Sequence, residues 1–146
     1  MRWSDFAARA PRLAALGEDR LLAPGVVLVG TIRRDGTPRI SPVEPLLWNG
    51  DLWLSMLLGS YKAEDDRQIQ AGYAEQARER LGWSPDPGRF HLFRVELEDV
   101  AFIRYEDASG DQFVSRWPSG REYVRRGTSA TSLGPPELRR DLLDGP

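Results

Sequence analysis

Cysteine is absent from the 146 residues. That absence excludes a disulfide scaffold, thiolate zinc sites, iron–sulfur clusters and any cysteine nucleophile, and it suits a reducing compartment. Histidine occurs once, as His91. Sites built from several imidazoles are therefore excluded, as are mechanisms that need one histidine as base and another as ligand. An excess of positive charge is missing as well, since 20 basic residues face 22 acidic ones for a net of −2. No basic field is offered to a nucleic-acid backbone, and nucleic-acid partners are not expected. Long apolar runs are lacking too: Asp5, Arg9, Arg12, Glu18 and Asp19 break the opening stretch. No signal peptide, membrane span or membrane partner is expected, and the chain reads as cytoplasmic. Lysine is nearly absent, with Lys62 the one ammonium side chain among the 20 cations.

What is present is the composition of an ordinary globular chain, 40% hydrophobic with 14 Gly and 11 Pro. Its length fits one folding unit that buries about two thirds of the unfolded chain's surface. Ser4 stands before Asp5–Leu16, where Phe6, Ala10, Leu13 and Leu16 or Ala14 recur at helical spacing, so a short or kinked helix is expected there, capped by Ser4 and faulted at Pro11. Val26–Arg33, Pro38–Trp48 and Asp51–Leu58 are β-like and are separated by Asp35-Gly36 and Asn49-Gly50, strong hairpin signals. They predict an antiparallel meander. Pro42 and Pro45 lack amide donors, so the middle strand should bulge or end early.

Ser60 precedes a second helical stretch in which Ile69, Tyr73, Ala77 and Leu81 repeat every fourth residue, with Gly72 as its weak point. Phe90–Tyr105 is too long for one strand, and its alternation changes phase around Glu98-Asp99. Gln112–Trp117 and Arg121–Arg126 flank Pro118-Ser119-Gly120 as a last hairpin, and from Gly127 the chain becomes rich in Gly, Pro, Ser and Thr. The expected architecture is α+β: a small antiparallel split β-barrel of about six strands over residues 1–126, with an N-terminal and a central helix, followed by a flexible tail over 127–146.

The run Gly36-Thr37-Pro38-Arg39-Ile40-Ser41-Pro42-Val43, then Leu52–Leu58, then Gly59-Ser60-Tyr61-Lys62-Ala63, resembles the flavin-binding stretch of the pyridoxamine 5′-phosphate oxidase-like split-barrel family. Phe90–Val95 and Ala101–Tyr105 are similar to later strands of its small members. The resemblance implies FMN, or a deazaflavin coenzyme, at a homodimer interface. It implies that Arg39, Ser41 and Val43 line the flavin on one strand and Leu54 and Ser55 on the next. Ser60, Tyr61 and Lys62 would stand at the helix start that grips the phosphate, and the local physics agrees: a helix N-terminus offers unpaired amides and positive dipole, to which a hydroxyl and an ammonium add. Relatives carry a basic residue where Tyr61 stands. They also carry two long strands between the lysine and the helix resembling Ala71–Gly82, and these are absent, so the resemblance implies a barrel shortened by two strands.

The remaining candidates have plainer readings. His91 lies in an alternating apolar strand, as packed histidines do. Glu64, Asp65 and Asp66 suit a helix start better than a metal site. Trp53 and Trp117 are core or interface residues that could border a flavin, and Arg121 and Arg125 with Tyr123 between them fit an exposed hairpin face. The expected function is a flavin-dependent oxidoreductase moving a hydride to or from a small organic substrate; hydride chemistry belongs to the cofactor, so no nucleophile motif is required. The alternative is a split-barrel binding protein without redox activity.

Overall fold

A computed structural model describes residues 1–57, 67–84, 86 and 89–141. The expected N-terminal helix is two helices, α1 (Trp3–Arg9) and α2 (Pro11–Leu22), because the residue before a proline is driven out of helical geometry and Ala10 sits at φ −140°, ψ 61°. Pro11 then opens α2, a position where its missing amide is not needed. Ser4 is not the cap. Arg2 precedes α1 without a side-chain cap bond and instead forms a two-pronged ion pair with buried Asp51, Nε to Oδ1 and Nη2 to Oδ2 both at 2.8 Å.

The strands are β1 (Val27–Ile32), β2 (Pro38–Val43), β3 (Pro45–Trp48), β4 (Asp51–Leu57), β5 (Phe90–Arg94), β6 (Val100–Tyr105), β7 (Gln112–Trp117), β8 (Arg121–Arg125), β9 (Gly127–Ser129), β10 (Ser132–Leu133) and β11 (Glu137–Asp141), with α3 (Arg67–Leu81) between β4 and β5. The fold is α+β with antiparallel pairing throughout. The described residues thus hold eleven strands rather than about six, and they form four separate sheets with no closed barrel among them. The meander is cut where the prolines stand. At Glu44 the chain leaves the ribbon β1-β2 and enters the sheet β3-β4-β5, so the two halves of the middle segment have different partners.

Adjacent strand residues face opposite ways, and Leu46-Leu47 and Leu52-Trp53 use both faces of β3-β4-β5. Leu47 and Leu52 join Trp3, Phe6, Leu13 and Trp117, whereas Leu46 and Trp53 join Tyr73, Ala77 and Phe90. This sheet is therefore the middle layer, with α3 on one face and α1, α2 and the sheet β11-β8-β7-β6 contributing to the other. Phe6 anchors the latter cluster edge-on to Trp3 and Trp117, with ring centroids 5.5 and 5.3 Å away.

The phase change near Glu98-Asp99 separates β5 from β6, which lie in different sheets. The segment expected to be a flexible tail is instead β9, β10 and β11 over much of its described length, and β11 pairs with β8. Arg139 holds it there, reaching buried Glu122 at 2.9 Å and lying 4.9 Å over the Phe113 ring. No helix among the described residues is long and apolar enough to cross a membrane.

Candidate functional site

The ribbon β1-β2 has two unlike faces. Cross-strand pairing puts Leu28, Gly30 and Ile32 opposite Pro42, Ile40 and Pro38 on one, and Leu28, Ile32 and Ile40 are 74, 72 and 72% exposed. The other face carries Val27, Val29 and Thr31 opposite Val43, Ser41 and Arg39. The three residues expected to line a flavin on this strand do share a face, as a two-residue period requires. Arg39 is exposed and its Nε donates to Ser41 Oγ at 2.9 Å; among the described residues no carboxylate pairs with it. Val43 is buried where β2 meets β4.

Leu54 and Ser55 are neighbours on β4 and so face opposite sides of the sheet, both nearly buried. Ser55 shares the α3 face with Trp53 and acts on the Tyr73 phenol. Burial pushes that phenol above its usual range, a hydrogen bond with Ser55 opposes the shift, and the Glu44 carboxylate adds to it. Only one of Leu54 and Ser55 can look toward a ligand seated on the ribbon. Ser60, Tyr61 and Lys62 lie outside the described residues, as do Glu64, Asp65 and Asp66.

His91 is half-buried on β5 opposite Met56. Trp53 is buried, its indole N–H donating to the Trp48 carbonyl at 3.1 Å. Arg126 is committed to Asp111 at 2.6 Å, and the Gly127 amide with that guanidinium holds the Asp111 carboxyl below the usual carboxylate range. No group of three or more His, Asp or Glu able to hold a metal occurs among the described residues.

A concavity of about 600 Å³ opens beside β7 and β8 and is lined by Asp99, Val114, Arg116, Tyr123, Arg125 and Pro136, among others. Sequence reasoning marks Arg125 and Tyr123 as an exposed hairpin face but not as the wall of a cleft. The alternation of Val114 with Arg116 and of Tyr123 with Arg125 was the available signal. The missing wall comes from Pro136, in the segment expected to be flexible. No family model, curated protein or solved structure matches this chain.

Proposed function

We propose that the chain binds a flavin, FMN or the related deazaflavin coenzyme, as a homodimer, and serves as a cytoplasmic oxidoreductase for a small organic substrate. The observation that carries the reading is the pairing of Arg39 and Ser41 on one ribbon face. Nε is turned onto the serine, which leaves the terminal nitrogens of a guanidinium without a carboxylate partner among the described residues. Such a fork suits a phosphate. Val43 shares that face but is buried, so it backs the site from beneath and does not present a surface to a ring.

In this reading Arg39 and Lys62 bind phosphate, Ser41 and Ser60 supply hydroxyls, Tyr61 adds contact surface, and buried Val43 and Leu54 support the site from beneath. Ser55 fits the ring less well, being drawn to Tyr73. The bound flavin supplies the hydride acceptor or donor; the chain's own part is to bind and orient. The other ribbon face, with Leu28, Ile32 and Ile40 exposed, supports a second copy as its cover.

Fluorescence titration of the purified protein with FMN and with a deazaflavin tests this. One of them should bind with micromolar or tighter affinity, and Arg39→Gln and Lys62→Ala should each weaken it at least tenfold, a loss of about 1.4 kcal/mol or more. Failure of both ligands to bind, or binding indifferent to both substitutions, overturns the reading in favour of a binding protein without redox activity.

A further inference from the structure

We propose that the outer face of β11-β8-β7-β6 is a binding site for a small organic carboxylate with a flat apolar body, anchored by Arg125. The inference does not rest on flavin binding. Along this sheet Phe113, Ser115 and Trp117 are buried on the inner face, so Val114 and Arg116 stand on the outer one. Register places Ile103, Val114, Tyr123 and Leu138 in one row across all four strands. Ile103 is 53% and Leu138 60% exposed at the ends of this apolar stripe, and Val114 and Tyr123 between them are half-buried.

The stripe is flanked by arginines on both sides. Arg116 pairs with Arg121 across the strands, and Arg125 with Gln112, four positions further along. The two flanks are therefore roughly 13 Å apart at the backbone. Arg116, Arg121 and Arg125 share this face, but Asp99 lines the same cleft and Asp141 stands opposite Arg121 in the register, so the cleft's anion anchor is Arg125. Asp99 occupies Arg116 at 2.9 Å. Arg125 is different: it is half-buried, its Nε donates to the Gly134 carbonyl at 2.9 Å, and no carboxylate pairs with it among the described residues. That bond fixes the plane of the guanidinium and leaves the terminal nitrogens for a bidentate carboxylate.

The cleft between the flanks, about 600 Å³, is of the size that encloses a small molecule, with Val114 and Tyr123 in its lining and Trp117 and Pro136 at its walls. An anionic head at Arg125 would lay its body along Val114 and Tyr123. The cation selects the charge; the floor selects a flat apolar shape.

Isothermal titration calorimetry with naphthoate and with neutral naphthamide tests the assignment on the unaltered protein. Naphthoate should bind with submillimolar affinity and naphthamide at least fivefold more weakly. Arg125→Gln, at an unchanged melting temperature, should weaken naphthoate at least fivefold, whereas Arg39→Gln on the ribbon should leave it unchanged. Equal affinity for acid and amide, no binding of either, or naphthoate binding that survives Arg125→Gln or follows Arg39→Gln overturns the proposal.

Discussion

A single missing methyl group governs how α3 meets the sheet. Gly72 reads in the sequence as a flaw in the helical stripe, yet a Cβ built there would lie 2.7 Å from two ring atoms of Trp48. The glycine is the recess into which the indole fits, and Trp48 in turn sits 6.0 Å from the Trp53 ring. Replacing Gly by Ala in a helix interior gains about 1 kcal/mol of intrinsic propensity. Forcing an extra carbon into a packed contact costs about 1–3 kcal/mol. Gly72→Ala should therefore lower stability by up to about 2 kcal/mol in urea titration. A gain instead would mean that the Trp48 ring swings away freely. Period and propensity show where the apolar stripe of α3 runs, but not which residue of another element presses into it.

β11 owes its place to side chains more than to strand character. Its pairing with β8 slips between Leu138 and Arg140, and Leu138 is largely exposed. Arg139 compensates: it neutralises Glu122, which is 2% exposed and also accepts from Ser115 Oγ at 3.0 Å, and it shares the Phe113 ring with Arg104. Taking the paired cation away from a buried carboxylate costs about 1–3 kcal/mol even where a hydroxyl still donates to it. Arg139→Ala should destabilise the protein by that amount and speed amide exchange along β11, and Glu122→Gln added to it should recover part of the loss. A double variant as unstable as the sum of the singles would show that the two side chains do not interact.

The molecule as a whole has a conspicuous unfinished edge. A two-stranded ribbon is marginal alone, and β1-β2 shows its most apolar side chains to solvent instead of burying them. In the proposed homodimer a second copy covers that face. Ile40→Asp, at a site 72% exposed in the single chain, should leave the fold intact and convert a dimer to a monomer by light scattering after gel filtration. A dimer that persists in this variant would place the interface elsewhere, and a wild-type chain that is monomeric at all concentrations would remove the dimer altogether.

The elements legible from the sequence are those with local causes. Asn49 at φ 51° and Gly50 at φ 77° close the β3-β4 hairpin as their chemistry requires. The phase change before Val100 separates two strands, the hairpin of β7 and β8 falls where its turn residues predict, and the shared face of Arg39, Ser41 and Val43 follows from a period of two. Tertiary structure alone decided the partners. It sent the two halves of Pro38–Trp48 to different sheets, turned Ser55 toward Tyr73, brought the chain after Gly127 back against β8, and raised Pro136 as a wall of the cleft. Turns and periodicity are set by neighbours within a few residues. Which surfaces meet is set by burial summed over the whole chain, which no window of the sequence contains.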